Sequence, residues 1–147
     1  SHISDEGFWD IMNITEAPIV ATHSNSRKIC AHNRNLTDDM FKAICETNGV
    51  AGLNMYTAFI GDDSADLDKV CDHILHFLEL DPSGKHIALG GDLDGCDTLV
   101  SDFRGVQDYP LLANVLLERG VAEHTIYDIF WNNARGVMAH AVRNNKK

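Results

Sequence analysis

His23, Arg34 and Asp92 are the residues of this chain whose types and positions best suit chemistry. His23 follows a short apolar run, Pro18 to Ala21, at the point where Thr22 turns the sequence polar. Pro18 fits the first position of a strand, where its missing N–H costs no ladder bond. Ile19, Val20 and Ala21 read as a strand covered on both faces, which is continuously apolar and does not alternate. Parallel α/β folds build their sites at the carboxyl ends of such strands. His23 would therefore stand at a site mouth, with Arg34 on the loop beyond it. Taken alone, His23 is better explained as a histidine that hydrogen-bonds a loop.

The segment Gly90-Gly91-Asp92-Leu93-Asp94-Gly95 is the second focus. Paired glycines at a strand end let backbone approach a ligand closely, and the carboxylates after them would project into the same mouth as His23. The segment also fits a plain Asp-Gly turn. A calcium loop is a weaker alternative, because the third spaced acid and the closing glutamate of an EF-hand are missing. A histidine and an aspartate at neighbouring strand ends suit metal-assisted hydrolysis: neutral imidazole binds zinc, and a free carboxylate holds or moves a proton. His2 is the candidate second histidine, although Ser-His at a chain start also fits an expression-tag scar.

Positioning these residues requires alternating helices and strands. Ser4 caps a first helix with Asp5 and Glu6 in its first turn and Phe8, Ile11, Met12 and Ile14 at helical spacing; Pro18 is expected to end it. A second helix starts near Thr37, turns Phe41, Ile44 and Cys45 inward, and breaks at Asn48-Gly49. Val50 to Met55 is a second strand ending at Tyr56, and a third helix follows with Leu67, Val70, Cys71, Ile74, Phe77 and Leu78 on one face. Asp81 to Gly84 is a turn into a third strand, His86 to Gly90. Two closing helices are predicted, around Leu111 to Arg119 and from about Glu123 to Val142. This alternation predicts a parallel sheet with helical crossovers in a single domain, residues 1–147, without internal boundary. Three strands make a narrow sheet with open edges, which predicts part of something wider.

At 147 residues the chain has the length of one ordinary domain. Its net charge of −10 argues against nucleic acid and anionic membrane surfaces and leaves a small ligand as the expected partner. No apolar run reaches the length of a membrane span. Cys30, Cys45, Cys71 and Cys96 form no C-x-x-C pair and read as buried free thiols, which predicts a reducing, cytoplasmic setting. His73 and His76 are expected on a solvated helix face.

Several motifs in order carry a family resemblance over essentially the whole chain. They are H-x-S at His2 to Ser4, T-H-S at Thr22 to Ser24, R-N at Arg34-Asn35, N-x-Y at Asn54 to Tyr56, GGDLDG at Gly90 to Gly95, and N-x-x-R at Asn132 to Arg135. The sequence resembles the membrane dipeptidase (renal dipeptidase-like) family of zinc metallopeptidases, and within it the carboxyl-terminal half of a TIM-like (β/α)8 barrel. The resemblance implies about three parallel strands plus the end of a fourth, with flanking helices. The step from His2 to His23 matches the family's two ligand histidines and disfavours the tag-scar reading.

By the same resemblance, His2 and His23 look like ligands to one zinc of a binuclear site, and Arg34 looks like the residue that binds the substrate's terminal carboxylate. Asp92 looks like the acid that contacts the scissile amide and carries a proton to the leaving amine, and Tyr56 falls beside the substrate pocket. Phe59 stands where some members have a second tyrosine. The implied reaction is hydrolysis of dipeptides by a metal-bridging hydroxide. The family's H-x-D pair, bridging glutamate and a further substrate histidine are expected before residue 1, so this chain alone is expected to bind zinc weakly, hydrolyse little, and self-associate or pack against the missing half-barrel. Another amidohydrolase chemistry, or a non-catalytic half-barrel binding module, remains as an alternative.

Overall fold

A computed structural model describes residues 1–144. Its strands β1 (Val20–Ala21), β2 (Val50–Asn54) and β3 (Ile87–Gly91) form one parallel sheet in the order β1-β2-β3. Val20 pairs with Val50, and Ala51 with Ile87. A register irregularity between Leu53 and Asn54 places Asn54 opposite Gly91. Such irregularities re-aim side chains at strand ends. The three strands and their flanking helices form an arc of the expected barrel type.

Local chemistry accounts for the helices. In α1 (Asp5–Ile14) the Ser4 hydroxyl accepts from Gly7 N–H at 3.1 Å, and in α2 (Asp38–Glu46) the Thr37 hydroxyl accepts from Met40 N–H at 3.2 Å. A short α3 (Thr57–Ile60), absent from the sequence expectation, precedes α4 (Leu67–Leu80), which Asp66 caps. A 3-10 turn at Val106–Asp108 leads into α5 (Tyr109–Glu118). The last predicted helix is three segments: α6 (Glu123–Tyr127), a π-helical turn at Asp128–Asn132 and α7 (Asn133–Asn144). Among the described residues no helix is long and apolar enough to cross a membrane.

One core joins the layers. Phe41 of α2 stacks on Phe77 of α4 with ring centroids 4.1 Å apart, and Leu53, Ile87, Leu112 and Ile129 are fully buried in the same cluster. Burial of each such side chain contributes about 1.5–3 kcal/mol.

Four expectations change. β1 is only two residues long and leaves Val20 43% exposed, so it is an edge and is not covered on both faces. α1 ends at Ile14, well before Pro18, and buries only Phe8; Ile14 is 82% exposed. His73 and His76 are not solvated, because α4 packs along the loop after β1 and against α2: His73 is fully buried, and His76 Nε2 donates to Asp38 Oδ1 at 2.8 Å. Of the four free cysteines only Cys71 is fully buried, and the others are partly exposed.

Candidate functional site

β1 is too short to pair with the end of β2, and a side chain takes over its ladder. The Asn25 Oδ1 accepts from Asn54 N–H at 2.8 Å, while its Nδ2 donates to Asn54 C=O at 3.2 Å and to Phe59 C=O at 3.4 Å. This fully buried amide fixes the loop after β1 to the end of β2. His73 fixes the same loop from the other side. Its Nδ1 accepts from Ser26 N–H at 3.0 Å, so its Nε2 carries the proton, donated to Ile60 C=O at 2.9 Å. Burial drives the His73 pKa down to about 4, with the Ile60 hydrogen bond opposing, so the ring is neutral in the fold.

On that frame His2 and His23 meet with their Nε2 atoms 2.8 Å apart. The His23 Nδ1 is engaged by the Thr22 hydroxyl at 2.8 Å, and its backbone N–H donates to Ser1 Oγ at 3.1 Å. Ser1 and His2 thus occupy the place expected for the end of a fourth strand, through side-chain contacts and without a ladder. Burial lowers the His23 pKa; Asp92 opposes this, and His2 adds to it. The Asp92 Oδ2 lies 3.9 Å from His23 Nε2 and accepts from Asn54 Nδ2 at 3.1 Å. Asp92 has φ 57, a left-handed conformation uncommon outside glycine, which turns its carboxylate back over the end of the sheet. The donor set suits a divalent metal: two imidazoles facing each other, one oriented through its far nitrogen, with a carboxylate beside them. His2, His23 and Asp92 do not form a set of three ligand atoms mutually within 4.8 Å.

Two arginines on the loop differ sharply. Arg27 is saturated: it grips Asp5 at 2.7 and 2.8 Å and donates to the carbonyls of Asn33 and Asn35. The Arg34 guanidinium lies 5.2 Å from the centre of the Phe59 ring, its Nε is buried without a hydrogen-bond partner, and among the described residues no carboxylate pairs with it. Arg34 and His2 both line a cavity of about 240 Å³ between α1 and the edge of β1. Tyr56 packs edge-on to Phe59 at 4.9 Å, which joins it to the Arg34 side of the site but outside that cavity. The structure therefore brings His2, His23 and Asp92 together directly, and links Arg34 to Tyr56 through Phe59.

Sequence reasoning missed the parts played by Asn25, Asn54, His73 and Cys96. Asn54 stood in the N-x-Y motif without a role; only the register irregularity at the end of β2 aims it at Asp92. Cys96 lies 3.9 Å from Asp92 Oδ2, and burial together with that carboxylate pushes its thiol up to about 11, so it is a protonated neighbour and not a nucleophile.

The profile of the membrane dipeptidase family, peptidase family M19, matches residues 1–147. The chain is 36% identical over 135 residues to an uncharacterized dipeptidase of Schizosaccharomyces pombe, covering 90% of this chain and 33% of that protein. It is also similar to a metallo peptidase from Rhodobacter sphaeroides solved with a phosphinate mimic of the dipeptide L-Ala-D-Ala, at TM-score 0.88 and 29% identity, covering 95% of this chain and 40% of that one. A third match is a dipeptidase described as a family M19 metallo peptidase, at TM-score 0.86 and 32% identity, covering 93% and 41%. The chain thus spans between a third and about two-fifths of the length of these three relatives.

Proposed function

From the premise that this chain belongs to the membrane dipeptidase family, peptidase family M19, we propose that it is the carboxyl-terminal half of the barrel of a zinc-dependent dipeptidase. His2 and His23, whose rings meet at Nε2, would hold one metal. Bound zinc supplies Lewis acidity at the scissile carbonyl and activates water at neutral pH. Arg34 receives the terminal carboxylate of the dipeptide. Asp92, oriented by Asn54, holds the proton that the leaving amine requires, and Tyr56 with Phe59 walls the side-chain pocket. The remaining metal ligands come from the part of the parent protein that this chain does not span, so the isolated chain hydrolyses little. The exposed edge of β1 is where that part, or a second copy, packs.

One observation carries the substrate assignment: on a loop where Arg27 is paired with Asp5, Arg34 is held over a ring and has no carboxylate partner among the described residues. The test is Arg34→Ala in the full-length enzyme, assayed on a dipeptide and on its carboxyl-terminal amide. A charge-assisted hydrogen bond is worth about 1.5–3 kcal/mol, so kcat/KM on the free dipeptide should fall by roughly 10- to 150-fold, and activity on the amide should barely change. An equal loss on both substrates would show that Arg34 does not read the carboxylate.

A further inference from the structure

At the opposite end of the sheet, three potential ligands of three chemical types converge from three elements. Cys45 comes from the last turn of α2, Asp81 from the residue that ends α4, and His86 from the residue before β3. Their ligand atoms all lie within 4.8 Å of one another, the one such trio among the described residues. Parallel strands of this length place the trio roughly 15 Å from His23 and Asp92. We propose that Cys45, Asp81 and His86 form a second metal site, structural in role, for a zinc-like divalent ion.

Orientation supports the assignment, and so does the charge balance of the bound state, against a Cys45 thiol that burial and the nearby Asp81 push up to about 12. His86 Nδ1 sits 2.8 Å from the Gly49 carbonyl, an acceptor only, so Nδ1 carries the proton and Nε2 is left with a lone pair. A backbone carbonyl on the far nitrogen is the usual support of a metal-bound histidine. Asp81 is also pre-set: its Oδ1 accepts from Ser83 N–H at 3.1 Å and from Ser83 Oγ at 2.6 Å, and its Oδ2 takes only a 3.3 Å contact from His86 N–H. Among the described residues no Lys, Arg or His side chain pairs with Asp81, which leaves the carboxylate free to meet a cation. On binding, Cys45 loses its thiol proton to solvent and enters as thiolate. Thiolate and carboxylate then balance a dication, with neutral imidazole as third ligand and water as fourth. Sulfur and imidazole donors select zinc-like ions over calcium or magnesium, which take oxygen ligands. All three side chains are partly exposed, so an ion reaches them from solvent. Bound there, it ties the end of α2 and the α4–β3 turn to the start of β3.

Cobalt(II) titration of the chain in a His2→Ala/His23→Ala background tests this, because a thiolate ligand gives a charge-transfer band in the near ultraviolet. One equivalent should produce the band. It should persist in Cys96→Ser, vanish in Cys45→Ala, and require about tenfold or more cobalt in His86→Ala. Zinc should also protect Cys45 of the unmutated chain from alkylation, read by peptide mass spectrometry, which keeps the test valid if Cys45→Ala folds poorly. Absence of the band with no zinc protection of Cys45 overturns the proposal, as does a band that survives Cys45→Ala and disappears in Cys96→Ser.

Discussion

The two ends of this sheet are built by different means. At the carboxyl end, buried side chains hold backbone: Asn25 supplies both partners of Asn54, His73 bridges Ser26 and Ile60, and Asn35 donates to the carbonyls of Cys30 and Phe59. At the amino end, the side chains that hold backbone are only partly buried: Thr47 accepts from Ile19 N–H, His86 donates to Gly49 C=O, and Asn133 donates to the carbonyls of Gly84 and Ile87, beside the exposed Asp81–Ser83 turn and the left-handed Asn48. Yet at both ends glycines press against the residues that flank β1. A Cβ on Gly49 would stand 1.9 Å from the Ile19 carbonyl, and one on Gly90 would stand 1.9 Å from the Thr22 carbonyl. The contrast indicates that packing is equally tight at both ends, while the polar side chains that hold backbone are fully buried at the end that carries the site and partly exposed at the other.

The largest expected effects sharpen that contrast. Gly49→Ala and Gly90→Ala each force a carbonyl flanking β1 to move, and each should cost on the order of 3 kcal/mol in urea denaturation. Only Gly90→Ala should also displace His23, whose Cα would lie 3.2 Å from the new Cβ. NMR titration of the His23 ring separates the two. An equal change of the His23 titration in Gly49→Ala would mean that the ends are mechanically coupled and the contrast is false.

The next effect is one of pH. His73 is a base whose pKa is lowered on folding, from the ordinary 6.5 to about 4. Below about pH 6.5 the unfolded chain takes up a proton that the folded chain refuses. Its contribution is therefore complete above pH 6.5 and is lost as pH falls toward 4, on the order of 3 kcal/mol. His23, also lowered, acts in the same direction. Urea midpoints measured across this window should fall steeply in the native chain and less steeply in His73→Gln. An unchanged slope in the variant would remove His73 as the pH-sensitive brace of the carboxyl end.

How much of this could be read from sequence follows the same division. Helix caps at Ser4 and Thr37, the α4 stripe and strands β2 and β3 are local in cause and were legible. So were His2, His23 and Asp92 as residues of one mouth, since strand ends in a parallel sheet share a side. The short, exposed β1 was not legible, because an apolar run does not show whether its second face is covered. His73 and His76 were misassigned because periodicity gives the face of a helix and not what packs on it. Asn25 and Asn54 depend on strand register, and Cys45, Asp81 and His86 on the approach of segments distant in sequence.

Asn54→Leu probes the network at the site end with a smaller expected effect. Asn54 is fully buried, donates to Asp92 Oδ2 and accepts from the Tyr56 N–H. Leucine keeps the approximate volume but orphans that N–H and leaves Asp92 without its orienting donor. A loss of about 1–3 kcal/mol in denaturation is expected. In the full-length enzyme the variant should lower kcat more than it raises KM; the reverse pattern would move Asn54 from orienting Asp92 to shaping the pocket.

Ser83→Ala is the matching change at the amino end and should do least. The Ser83 hydroxyl donates to Asp81 Oδ1 at 2.6 Å, a shorter bond than any at Asn54 apart from the Tyr56 contact. Distance alone would therefore rank it as important. Exposure argues otherwise: Ser83 faces water, which replaces the lost donor, and Asp81 keeps the Ser83 and His86 backbone N–H groups as partners. The expected cost is within about 0.5 kcal/mol, the range of ordinary surface substitutions. A loss in denaturation as large as that of Asn54→Leu would show that exposed side-chain hydrogen bonds order the amino end as strongly as buried ones order the other, and the distinction between the two ends would fail.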